Sequence, residues 1–116
     1  MNMNEYQVLA ARTINPKLNA AEMLLHALHG MTAELGEIHG IYQKKYQGHQ
    51  VDDAHLKKEL GDLLWFIAEF CTTNQHCFGG DWSLENIATM NIEKLKARYP
   101  EGFDAEHSLH RKAGDI

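Results

Sequence analysis

Glu34-Leu35-Gly36-Glu37 and Glu59-Leu60-Gly61-Asp62 are two short stretches that read almost alike. Each places two carboxylates three residues apart, so on a helix, at about 100° per residue, both acids leave from the same side. A lone pair of this kind is ordinary on a solvated helix, where like charges at this spacing cost only about 0.2 to 0.5 kcal/mol. The repetition gives it weight. Each stretch also carries a Gly at its third position, where a helix-interior Gly costs about 1 kcal/mol relative to Ala. Two such costs at matching positions imply that a neighbouring backbone comes close.

The sequence on either side of each stretch is helical. Around the first, Leu24, Leu28, Met31, Leu35, Ile38 and Tyr42 recur at alternating steps of four and three, and Asn19 with Glu22 forms a capping signature, which predicts a helix over 20–46. Glu34 lies about 80° and Glu37 about 140° from the centre of that apolar seam, so the acids flank it. Around the second, Leu56, Leu60, Leu63, Leu64, Ile67, Phe70 and Cys71 make a wide apolar arc over 54–77, bounded by Asp52 or Asp53 as cap and by Gly79-Gly80. A short helix over 3–13 must end before Pro16, and Ser83 opens another over 84–98 that Pro100 closes. Residues 47–53 lack periodicity and read as a loop, and the polar tail 104–116 carries no assignable pattern.

No alternation of period two appears anywhere, so the expected fold is all-α, an antiparallel bundle of about four helices in one domain over residues 1–116. Two long helices and two short ones make a thin bundle, and the wide arc of 54–77 predicts completion by homodimerisation, as a dimer or a dimer of dimers. The net charge of −5 excludes phosphate-backbone binding as the main task, since nucleic acid calls for a basic face. No apolar run approaches the ~20 residues of a membrane span, and the N-terminus lacks the features of a signal peptide, so the expectation is a cytoplasmic chain without nucleic-acid or membrane partners. Cys71 and Cys77 are too few for a zinc or disulfide framework. Of the eight histidines, the pairs His26/His29 and His107/His110 have no third ligand in frame and read as ordinary surface or core residues.

If the two long helices pack through their seams, four carboxylates meet across one groove. At an effective dielectric of 20, two charges ~6 Å apart repel by about 3 kcal/mol, so such a cluster must protonate in part or hold cations. All-oxygen ligands favour a hard ion, with Mg2+ the first choice and Mn2+ its substitute. On the helix over 84–98, Asn91, Lys94 and Arg98 fall on one face and present an amide and two cations, a phosphate-reading set. The competing interpretation is that Lys94 and Arg98 only meet the negative end of their helix.

These residues carry a resemblance. Glu-x-x-Glu, a spacer over 38–58, Glu-x-x-Asp, then Leu63-Leu64-Trp65-Phe66 and Asn91-Ile92-x-Lys94-Leu95-x-x-Arg98-Tyr99-Pro100-x-Gly102-Phe103 together resemble the MazG-like all-α nucleoside triphosphate pyrophosphohydrolases over roughly residues 5–103. The resemblance implies Mg2+-dependent hydrolysis of a (deoxy)nucleoside triphosphate to monophosphate and pyrophosphate in a homo-oligomer built on dimers. It implies that Glu34, Glu37, Glu59 and Asp62 ligate metal and carry catalysis, and that Asn91, Lys94, Arg98 and Tyr99 hold the nucleotide. Two alternatives remain open at this point. One is an enzyme of the same fold restricted to dUTP, dCTP or phosphoribosyl-ATP; the other is a non-catalytic helical module whose acids bind a structural cation.

Overall fold

A computed structural model describes all 116 residues. It is all-helical: α1 (Met3–Ala11), α2 (Ala20–Lys45), α3 (Asp53–Phe78), α4 (Leu84–Arg98) and a short α5 (Ala105–Leu109), with no strand. The boundaries follow local chemistry. Asn2 and Asn19 close full capping boxes with Glu5 and Glu22, which satisfies backbone donors that a helix start leaves orphaned. Asp52 caps α3 through the Ala54 amide, and Ser83 caps α4 through the Asn86 amide. Gly79 ends α3 at φ 77°, a left-handed conformation that a side chain would resist. In the tail, Asp104 caps α5 through the Glu106 amide, a local stop-and-start signal that the polar composition had hidden.

The backbone of the molecule is the antiparallel pair α2·α3. Its register is read from side chains that meet in order: Met23 with Thr73, His26 with Glu69, Gly30 with Phe66, and Glu34 with Glu59 and Asp62. Helix α1 crosses α3 and also touches the start of α4. The small core sits there, formed by Ala10, Ala68, Cys71 and Leu84 with Tyr6, Trp65, Ile67 and Trp82 around it. Polar anchors fix the crossing. The Trp65 indole donates to the Ala10 carbonyl (3.2 Å) and the Thr13 hydroxyl (2.8 Å), while the buried Gln7 amide donates to the Trp82 carbonyl and accepts from the Leu84 amide.

Two expectations are corrected. The apolar stripe of α2 does not form the seam with α3: Leu28, Leu35 and Tyr42 are each nearly half exposed, and α2 meets α3 through Ala27, Gly30 and Glu34. Small residues let two backbones approach more closely than leucines do, which leaves the leucine face unpartnered in the single chain. Likewise Gly36 and Gly61 face open space, and the close approach is at Gly30, where a Cβ would clash with the Phe66 ring. A single compact chain of this mass would expose about 6,400 Å² and have a radius of gyration of about 13 Å. This one exposes 8660 Å² and has a radius of 17.5 Å.

Candidate metal and nucleotide site

The seam brings Glu34, Glu59 and Asp62 together, with one carboxylate oxygen of each lying within 4.8 Å of the others. Glu34 stands at the interface because it falls on the same face of α2 as Ala27 and Gly30; Glu59 and Asp62 reach it from one turn of α3. Glu37, one turn further along α2, is exposed and stays outside this trio, although its charge is felt by Glu34. Two groups border the trio that the sequence pattern had not marked. His55 meets Glu59 at 3.0 Å, and the Tyr6 hydroxyl on α1 lies close enough to Asp62 that burial and the Asp62 charge together raise its pKa.

Electrostatics confirm that the trio is crowded. The Glu34 carboxyl is pushed up to about 7, first by sharing a hydrogen bond with Glu59, then by burial and by the charges of Asp62, Glu59 and Glu37. Its second oxygen, Oε2, is buried and has no hydrogen-bond partner. A buried carboxylate oxygen left unpaired costs free energy that a cation would recover. The donor set is all carboxylate oxygen, which suits a hard divalent ion. The residues therefore fit such an ion on two counts, the orphaned oxygen and the charge that now has to be relieved by a proton.

A stability prediction follows from Glu34. Its folded-state pKa is raised from 4.5 to about 7, so its favourable contribution is fully present below about 4.5 and is lost as the pH rises through about 7. The metal-free protein should lose melting temperature over that window. Glu34→Gln should flatten the decline, and millimolar Mg2+ should offset it in wild type by binding only the folded state. Thermal melts from pH 4.5 to 8, with chelator and with Mg2+, check this; a wild-type curve with no such fall would contradict it.

The other predicted residues stand apart from the trio. Helix α4 packs on α1 rather than along the α2·α3 seam, so Asn91, Lys94, Arg98 and Tyr99 are not brought to the acids within one chain. Asn91 and Lys94 are exposed. Arg98 is largely buried, and its guanidinium donates to both oxygens of Asp115 in the tail (2.6 and 2.8 Å). Tyr99 ends α4, with its ring tilted against Phe103 and beneath the Arg98 guanidinium. Lys94, Arg98, His107, His110 and Lys112 line a basic pocket of about 350 Å³ between α4 and the tail, with Asp115 as its one acid.

The family model described as the MazG nucleotide pyrophosphohydrolase domain matches residues 22–103, from the first turn of α2 to just past α4. The match spans both acid pairs and the helix that bears Asn91 and Lys94. No curated protein and no solved structure matches the chain. No helix is long and apolar enough to cross a membrane.

Proposed function

Because the chain belongs to the MazG nucleotide pyrophosphohydrolase family, we propose that it is a Mg2+-dependent hydrolase that cuts (deoxy)nucleoside triphosphates between the α and β phosphates, as a homodimer or a dimer of dimers. The observation that carries the reading is the carboxylate trio with the orphaned Glu34 oxygen, in a chain whose family acts on nucleotides.

Glu34, Glu59 and Asp62 are the residues that would hold the ion, with Glu37 completing the set from the next turn of α2. A divalent ion bound there supplies charge neutralisation for the triphosphate and a lower proton affinity for the attacking water. The chain itself does the rest. The trio fixes where the α-phosphorus must sit, and the rigid α2·α3 seam keeps that place constant. A carboxylate not committed to the ion takes the proton from water as it attacks in line. Asn91 and Lys94, exposed on α4 and apart from the trio within one chain, would meet the charge that develops on the departing pyrophosphate once a second copy of the chain brings α4 to a trio. Arg98, already engaged by Asp115, lines the same pocket as Lys94, and Tyr99 lies against the Arg98 guanidinium, so both would flank the nucleotide there. Dimerisation through the open leucine face is the step that assembles the full bundle. Mn2+ is expected to replace Mg2+, since it accepts the same oxygen donors.

The bond broken separates this reading from a phosphatase. Incubation with a dNTP and Mg2+ should give monophosphate and pyrophosphate in equal amounts, with no diphosphate at any time. Accumulation of diphosphate would mean attack at the γ-phosphorus and would overturn the proposal. A panel of common and oxidised NTPs and dNTPs, run in the same way, identifies the preferred base and sugar.

A further inference from the structure

Glu69 is the one large side chain that is fully buried: it is 1% exposed, and the other buried polar residues, Gln7, Thr73 and Asn74, are all uncharged. It is no part of the carboxylate trio. Its two oxygens accept from a single group, Nδ1 of His26 on the facing helix, at 2.8 and 3.0 Å. A carboxylate taken out of water costs free energy that an apolar residue of similar size would not, so packing alone gives little reason for one here. The histidine is held from other sides as well. Its ring meets the Phe66 ring at 5.5 Å and the Trp65 ring at 6.3 Å, both edge-on, so rotation of the imidazole would break two aromatic contacts and leave Glu69 unpaired. Yet the His26 side chain remains 47% exposed. A buried carboxylate that orients an imidazole, whose other nitrogen is left for a further partner, is how proteins pre-position a histidine for recognition.

The place of this pair in the seam says what the partner is. His26 precedes Glu34 by two turns of α2, and Glu69 follows Asp62 by two turns of α3, so the pair lies about 12 Å along the same α2·α3 seam from the trio. The layer between is Phe66 laid over Gly30, an aromatic ring where a side chain on α2 would have blocked it. A nucleotide whose phosphates sit at the trio and whose remainder runs along the seam would pass Phe66 and reach His26 with its base. We propose that His26 is a specificity-determining residue that reads the polar edge of the nucleobase through Nε2, and that Glu69 is the positioning residue that fixes its orientation. This deepens the nucleotide-hydrolase reading above and rests on it.

The test compares His26→Ala and Glu69→Gln with wild type in two measurements. In the first, kcat/KM is determined for triphosphates of all the common bases, and for inorganic tripolyphosphate as a substrate without a base. The ratio between best and worst base should shrink at least about tenfold in His26→Ala, the size of one lost polar contact, while tripolyphosphate turnover and Mg2+-induced stabilisation stay level. Glu69→Gln should shrink the same ratio. Should that variant fail to fold, His26→Ala decides alone. An equal loss on every substrate, unchanged ratios, or a wild-type enzyme with no base preference would overturn the assignment. In the second, the ring signals of His26 are followed by NMR on adding nucleoside monophosphate or pyrophosphate, each with Mg2+. The monophosphate should shift them and pyrophosphate should not. If both or neither do so, His26 does not read the base. Wild type that releases pyrophosphate but fails these tests sinks this inference only, whereas wild type inactive on every triphosphate sinks the functional reading beneath it.

Discussion

Asp62→Asn should lower pyrophosphate release by more than about a hundredfold, the loss that follows even from removing an outer partner of a metal ligand, without lowering the melting temperature of the metal-free protein. The two halves of this result are tied. Asp62 is exposed, and its charge is one of the causes that raise Glu34, so its removal relieves repulsion at little packing cost. Glu59→Gln is expected to behave alike in turnover. Its effect on stability includes the loss of the partly exposed His55 contact, a pair of a type worth only about 0 to 1 kcal/mol. The distinguishing measurement is the shift in melting temperature on adding Mg2+, which should be large in wild type and nearly absent in both variants. Should the variants unfold, or should they keep their turnover, the carboxylates are structural and the assignment of the ion to this trio fails.

Much of the architecture was legible because local rules and global packing agree. The caps at Asn19, Asp52 and Ser83 and the glycine stop at Gly79 are short-range chemistry, and each stands where the pattern put it. The acid repeat was legible as a meeting of two helices for the same reason, since side chains three residues apart share a face whatever surrounds them. What periodicity could not tell was which face of α2 goes inward. A leucine stripe announces burial but does not name the partner, and here the close contact went to Ala27, Gly30 and Glu34, leaving Leu28 and Leu35 outside. His26 and Glu69 were invisible as a pair because they are 43 residues apart and either one alone is common. The nearest signal was Glu69's return, seven residues after Asp62, to the acidic side of its helix within a strongly apolar stretch, a polar residue where the pattern wanted none. Arg98 was marked as cationic, but its engagement by Asp115 depends on the fold of a tail without periodicity.

The open leucine face yields the second large effect. Leu28 and Leu35, seven residues apart, share one side of α2 and are 45% and 48% exposed, while Leu60 on α3 is 48% exposed. The chain exposes about 2,200 Å² more than its mass calls for, an excess of the size that one partner buries in an obligate dimer. Wild type should therefore run at twice 13.2 kDa or more at micromolar concentration. The double variant Leu28→Glu/Leu35→Glu places four carboxylates in the interface of a symmetric pair and removes the burial of four leucines. Half a leucine's burial is worth about 1 kcal/mol, so association should weaken by at least about a thousandfold before the cost of desolvating the charges is added. Turnover should fall with it, because α2 carries Glu34 on the adjoining face and loses its support, whereas helical content should change less than activity. Light scattering and circular dichroism on both proteins, beside the pyrophosphate assay, check the result. A wild-type monomer that turns over, or a double variant that stays dimeric and active, would show that the leucine face is not where copies of this chain meet.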